Sequence, residues 1–383
     1  MSAVEDTCLL IADISGYTSY LAGVELDHAQ DILADLIGTV VTALRPTFKL
    51  AKLEGDAAFM TAPADRVDGS LLLDTIERCY FGFRRRRRDV RQAASCECNA
   101  CVRIPDLNLK FVVHAGEVVR QKVFGLEELV GADVIVVHRL LKNTVVETTG
   151  VAAYALLSQA SVARLGLDPV ALGMAPHAEA YEFVGTIDGW VHDLERRWQE
   201  EDSRARVRVT AEESVVGTTY EVEAPPQTVW EFLTTPGRRV AWQYGVTDVI
   251  QDASRRAVGT TNHCMHGKDA IIEEVLDWRP FDYFTNRSTI GTPVGTIKIV
   301  GTFELEPTPT GTRVSVRFAK PKSAKDRAML EPMAPIFQLM IDSGAAAVRT
   351  LVATAARARA EGAAAEPAIP AARPDGVLAG LAG

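Results

Sequence analysis

The chain lacks a leader-like basic start, a long apolar run and a cysteine framework, and it has less positive than negative charge; each shortage excludes something. MSAVEDTCLL opens on acidic residues and a short apolar run, unlike a signal peptide. No apolar stretch approaches the ~20 residues that cross a bilayer, so no membrane span and a cytoplasmic location are expected. Six cysteines in 383 residues suit a reducing compartment better than a disulfide framework. A formal charge of −9 argues against nonspecific nucleic-acid binding, because a polyanion would be repelled. One basic block, Arg84 to Arg88, departs from the trend. It is either a solvated helix end or loop, the commoner reading of a charge run, or a phosphate-binding patch.

What is present is a soluble globular composition, 47% apolar and 24% charged, in a chain long enough for two domains. Two short apolar runs each end in an aspartate beside a glycine-containing turn, LLIADISGYT at Asp13 and KLEGDAAFM at Asp56. Cys8 to Ile14 reads as a buried strand, and Lys49 to Met60 as a hairpin with Gly55 and Asp56 at its tip. Between them, Ile32, Leu33, Leu36, Ile37, Val40 and Val41 have helical spacing over residues His28 to Leu44. Both acids therefore stand at exposed ends of neighbouring strands, close enough to share a divalent cation. Turn aspartates capping adjacent elements are the structural alternative.

Further along, Leu71 to Phe83 reads as a helix, Leu107 to Glu117 as a strand and Val151 to Leu165 as a strand or turn entering a helix. The cluster Cys96-x-Cys98-x-x-Cys101 offers three thiolates in one loop, with Cys79 or His114 as a fourth ligand for a structural Zn²⁺. Metal-free thiols are an equal reading, since the two Cys-x-x-Cys halves of a usual zinc signature are missing. The charged stretch Trp198 to Glu213 reads as a linker. A strand, a Pro-Pro turn and an amphipathic helix follow from Ser214, then six strands between Val246 and Phe318 and a long helix over Ala324 to Glu361. The Ala, Pro and Gly-rich end is expected to be disordered.

The pair ADISGYT and KLEGDAAF resembles the signature of class III nucleotidyl cyclases. More narrowly, the first half with CECNAC and LKFVVHAGE looks like the cyclase-related DUF2652 proteins. By matching position the resemblance implies that Asp13 and Asp56 hold Mg²⁺ or Mn²⁺ as a two-metal site, and that backbone amides from Ile14 through Gly16, Tyr17 and Thr18 cradle phosphates. It further implies that Lys52 selects adenine, that Glu128 contacts the base and that Arg139 is the catalytic, transition-state arginine. The substrate would be ATP or a related purine nucleotide, turned into cyclic AMP and diphosphate by a head-to-tail homodimer. Ile135 stands where the family has a ribose-orienting asparagine, so the site reads as a weak or degenerate cyclase or as a nucleotide sensor. Asn143 is out of register and does not replace it.

The second half, from EVEAPPQTVWEFLTTPGRRVAW onward, resembles the helix-grip fold of START-like and polyketide-cyclase-like proteins of the SRPBCC superfamily. That implies a sheet wrapped around the last helix and an apolar small molecule in the cavity between them. Candidate lining residues are Trp242, His263, His266, Phe303 and Met340. The expected class is α+β: a ferredoxin-like cyclase-type domain over 1–195, a linker over 196–213, a START-like domain over 214–361 and a tail over 362–383. Three functions stay open: a ligand-regulated cyclase, a catalytically weakened nucleotide sensor, and an apolar-ligand carrier.

Overall fold

The computed structural model describes residues 3–93, 98–252, 255–292 and 295–360. It is α+β and divides into two compact units, residues 1–204 and 205–383.

In the first unit, eight strands form one sheet: β1 (Val4–Ser15), β2 (Lys49–Glu54), β3 (Ala57–Pro63), β4 (Asn108–Val123), β5 (Leu126–Val130), β6 (Tyr154–Ser158), β7 (Ala175–Tyr181) and β8 (Gly185–Asp193). Their order is β2-β3-β1-β4-β6-β8-β7, with β5 folded back on β4. β1 sits centrally between β3 and β4, antiparallel to both. It reads as an unbroken apolar run because both its faces are covered. Leu10, Ala12 and Ile14 pack towards the helices Leu26–Leu44 and Gly69–Ala93, whereas Leu9 and Ile11 pack with Val137 and Leu140 of the helix Ala132–Leu140. The same alternation puts Asp13 on the Leu9 and Ile11 face.

The arginine block is neither a loop nor a helix end: the helix runs on through it to Ala93. Arg86 pairs with Asp35 through two bonds of 2.6 and 2.9 Å, Arg84 pairs with Glu195, and Arg85 lies over the Trp198 ring. Arg87 donates to the Leu107 carbonyl. Most of the block is thus spent on intramolecular contacts, which leaves little of it to hold a phosphate.

The segment expected to be a linker divides between the units. Leu194–Ser203 is a helix capped by the Asp193 carboxylate, which accepts from Arg196 N–H at 2.9 Å. Beyond residue 204 the chain binds the second unit: Val207 N–H reaches Asp277 at 2.8 Å and Val209 N–H reaches the Thr302 hydroxyl at 2.9 Å.

The second unit is a seven-stranded antiparallel sheet of β9 (Ser214–Val222), β10 (Asp248–Gln251), β11 (Thr261–His266), β12 (Asp269–Arg279), β13 (Tyr283–Thr292), β14 (Gly295–Thr308) and β15 (Gly311–Ala319), in the order β10-β11-β12-β13-β14-β15-β9. The helix Ala334–Ala360 packs against it, chiefly on β9. The long terminal helix is interrupted: Ala324–Leu330 gives way to a 3-10 turn at Glu331–Met333 before the main helix starts. By length and composition, the stretch Ala324–Arg357 could cross a membrane, so the expectation of no such stretch does not hold. Gln338, Asp342, Ser343 and Arg349 interrupt its apolar residues, which hides the run from the eye. The expected tail lies outside the described residues.

Candidate functional site

Asp13 and Asp56 converge. Asp13 ends the buried part of β1, and Asp56 forms the two-residue turn between β2 and β3 with Gly55, whose φ is +68°. The Ile14 N–H donates to the Asp56 carbonyl at 3.2 Å, which ties the turn to the strand end. Burial and the neighbouring Asp13 charge push the Asp56 carboxyl up to about 6. Two like charges at one strand end make it costly to ionise both carboxyls.

A residue outside the expected set already supplies one positive charge there. Lys110 lies opposite Asp13 on β4 and places Nζ 3.2 Å from Asp13 Oδ2. The same ammonium donates to the Leu141 carbonyl at 3.3 Å. Its signal in the sequence is a lysine inside LNLKFVVHAGE, a charge between the buried Leu109 and Phe111. The donor set still suits Mg²⁺ or Mn²⁺, which take one or two protein carboxylates and complete their shell with water and phosphate oxygens. Lys110 would compete for the Asp13 carboxylate.

The expected phosphate cradle is smaller than its sequence suggests. Ile14 N–H is committed to Asp56, which leaves the amides of Gly16, Tyr17 and Thr18 at the start of the helix Tyr17–Leu21. Gly16 has its own structural reason. Its φ is +87°, and a Cβ there would lie 2.9 Å from the Asp106 carbonyl oxygen.

Lys52 and Glu128 also meet, with Nζ and Oε1 3.9 Å apart. They share a surface groove of about 530 Å³ with Lys49, Glu54, Arg120 and His138. His138 Nε2 is 3.1 Å from Glu54 Oε2, and its ring meets Phe59 edge-on. Arg139 does not line that groove; it is exposed on the helix Ala132–Leu140, one turn after Ile135, whose side chain is 56% exposed. Asn143 is engaged locally: Oδ1 accepts from Tyr154 OH and Val145 N–H, and Nδ2 donates to Leu140 O.

The thiols are not gathered into a centre among the described residues. Among the described residues, no group of three or more His, Cys, Asp or Glu side chains is arranged to hold a metal ion. Cys79 is fully buried with its sulfur 3.8 Å from the Val40 carbonyl, Cys101 is packed in the core, and Cys96 lies outside the described residues. His114 is unavailable as the fourth ligand. Its Nδ1 is 2.8 Å from Ser158 Oγ and its Nε2 2.9 Å from Asp133 Oδ1. This Ser, His, Asp chain has the connectivity of a nucleophilic triad but not its role. Ser158 caps the helix Gln159–Arg164, Asp133 also accepts from Glu117 N–H, and both Ser158 and His114 are buried.

The second unit holds a cavity of about 120 Å³ between sheet and terminal helix. Alternate residues of the strands build one wall, including His266, Asn286, Phe303 and Phe318. Phe337, Met340, Ile341, Gly344 and Ala345 build the other, at the spacing of one helix face. Small residues let the rings settle: a Cβ on Gly301 would lie 2.6 Å from the Phe318 ring, and one on Gly344 3.4 Å from Trp242. Phe303 meets Trp242 and Phe318 edge-on and stacks on Phe284.

Of the expected lining residues, Trp242, His266, Phe303 and Met340 reach the cavity and His263 does not. His263 alternates with Cys264 and His266 along β11, so it faces away and pairs with Asp252 at 3.3 Å. Sequence reasoning missed the polar end of the cavity. Arg239 and Glu273 form a buried pair at 2.7 Å, and Arg239 also donates to Gln243.

Comparison with known proteins agrees with this division. Residues 33–149 match the family described as protein of unknown function DUF2652, a span that includes Lys52, Asp56, Glu128 and Arg139 but not Asp13. Residues 206–353 match the family described as polyketide cyclase / dehydrase and lipid transport. The uncharacterized protein Rv2561/Rv2562 of Mycobacterium tuberculosis is 44% identical over 113 residues, which are 30% of this chain and 52% of that protein. The chain thus spans about half the length of that curated relative. Among solved structures, the guanylyl cyclase Cya2 overlaps 50% of this chain and 92% of its own at 16% identity, with a TM-score of 0.39. The adenylyl cyclase CyaB from P. aeruginosa overlaps 50% and 96% at 12% identity, with a TM-score of 0.36. The chain is similar to a fusion of a DUF2652-type domain with a domain of the polyketide cyclase / dehydrase and lipid transport type.

Proposed function

We propose that the second domain binds a small apolar molecule and that this is the chain's main biochemical task. The observation that supports it is the ring-lined cavity between sheet and terminal helix, where two glycines admit the Phe318 and Trp242 rings and aromatic side chains stack. Apolar cavities with a few polar groups are the usual form of small-molecule sites. The test is calorimetric titration of the full chain with compact apolar compounds, beside a Met340→Trp variant that fills the space. Binding by the wild type and its loss in a variant of unchanged melting temperature support the reading. A wild type that takes up no apolar compound overturns it.

A second reading concerns the first domain and is favoured by the meeting of Asp13 with Asp56 and of Lys52 with Glu128. The domain would bind a purine nucleotide such as ATP, with Mg²⁺ or Mn²⁺ held by Asp13 and Asp56, in a homodimer that completes the site. The metal would neutralise phosphate charge. Ile135 offers no hydrogen-bond donor for the ribose, and a missing donor at a transition state typically lowers a rate ~10²–10³-fold. The expectation is therefore nucleotide binding with slow or no conversion to cyclic nucleotide. Incubation with ATP and GTP in Mn²⁺, comparing wild type with Asp56→Ala, decides between these outcomes. A cyclic product lost in the variant would make the domain a working cyclase. Neither product nor nucleotide affinity would leave the domain a scaffold.

A further inference from the structure

Two buried acceptors in the cavity wall of the second domain have no partner in the protein. His266 Nε2 and Asn286 Oδ1 are both buried, both belong to lining residues, and neither meets a hydrogen-bond donor. Buried polar atoms are nearly always paired, so two orphans in one small cavity call for an explanation. Asn286 is 6% exposed, on β13 directly across from Gly301, and the Phe318 ring fills the space that a side chain at 301 would take.

The ring of His266 is held in one orientation. Its Nδ1 lies against the Gly245 backbone, and burial lowers its tendency to take a second proton. A neutral imidazole that donates from Nδ1 presents a lone pair at Nε2. Both orphans are therefore acceptors, and both ask for a donor. The charged groups nearby ask for nothing: Arg239 and Glu273 satisfy each other at 2.7 Å, so the site has no unbalanced charge to attract an ionised ligand.

Size sets the other limit. A cavity of about 120 Å³ compares with the ~150 Å³ apolar cavity that admits benzene. A long acyl chain would need several times that space. The rings of Trp242, Phe303 and Phe318 present edges and faces that suit an aromatic guest.

We propose that this cavity selects a neutral, single-ring aromatic molecule that carries at least one hydroxyl, whose O–H is received by His266 Nε2 or Asn286 Oδ1. This rests on the cavity being a ligand site, as proposed above, and narrows the ligand to a phenol rather than a lipid.

The experiment titrates the full wild-type chain with phenol, anisole, toluene and decanoate. Anisole keeps the oxygen of phenol but lacks the donor, so the comparison needs no variant. Phenol should bind at least about tenfold more tightly than anisole or toluene, with decanoate weakest. In His266→Leu with Asn286→Leu, that preference should collapse to about onefold while toluene still binds, which also shows that the cavity survives. Equal affinities for phenol, anisole and toluene in the wild type would refute donor recognition while leaving the apolar site standing. Tightest binding of decanoate would refute the size limit. If none of the four binds, the ligand-site reading falls and this inference with it.

Discussion

At Asp13 a tethered ammonium stands where a soluble cation would be expected to bind. Lys110 Nζ is 3.2 Å from the Asp13 carboxylate, and both side chains are largely shielded from water. Two cations cannot both take full advantage of one carboxylate. Lys110→Met keeps the length of the side chain and removes its charge, so Mn²⁺ should bind roughly tenfold more tightly by calorimetry, the effect of one nearby charge in a half-buried setting. Weaker Mn²⁺ binding in the variant would mean that the lysine orders the carboxylates rather than competing for them.

Asp56 carries the complementary prediction. Its carboxyl is raised from 3.8 to about 6, by burial first and then by Asp13, so the fold favours its protonated form. The contribution to stability is present below pH 4 and is lost as pH rises through about 6, because the carboxylate must then ionise against burial and a like charge. Asp56→Asn cannot ionise. It should raise the melting temperature at pH 7.5, and the gain should vanish near pH 4. A gain of the same size at both pH values would assign the effect to packing.

At the scale of elements, the sequence was legible wherever burial was one-sided or complete. The run through Cys8 to Ile14 announces a strand covered on both faces, and the spacing from Ile32 to Val41 announces a helix. The helix expected to stop at Phe83 continues to Ala93 because arginine is a good helix former and each turn of the block finds partners. β7 is not legible in the sequence, since APHAEAY is mostly exposed and its one buried residue is Glu179. Pro332 and Pro335 were the overlooked marks of the break before the terminal helix. In the site, the aspartates, Lys52 and Glu128 could be found from motif order, but Lys110 and the polar end of the cavity depend on register across strands distant in sequence.

Two glycines of the first domain should respond to alanine with opposite signs. Gly16 holds a left-handed φ of +87° against the Asp106 carbonyl, so Gly16→Ala should cost about 1–3 kcal/mol. Gly38 lies within the helix Leu26–Leu44 with no atom within 4 Å of its added Cβ, so Gly38→Ala should stabilise by roughly 0.5–1 kcal/mol. Urea unfolding of the two variants reads both. A neutral Gly16→Ala would show that the turn can relax into an ordinary conformation.

At the scale of the whole molecule, the chain is two separately cored units, and in each a buried acid ties several elements together. In the first, Glu77 is 3% exposed and accepts from His192 at 2.7 Å and Arg197 at 3.0 Å, which joins the helix Gly69–Ala93 to β8 and to the helix Leu194–Ser203. In the second, fully buried Asp277 accepts from Val207 N–H, Trp278 N–H, Arg279 Nε and Tyr283 OH, which fastens the entering chain to the sheet. Removing one member of such a network leaves buried donors without an acceptor and costs about 3–5 kcal/mol. Two cores of this kind should melt in two steps. In scanning calorimetry, Glu77→Ala should lower one transition and Asp277→Ala the other, each leaving its neighbour in place. A single transition shifted by either variant would instead show that the two units unfold as one, and a ligand bound to the second domain would then necessarily stabilise the first.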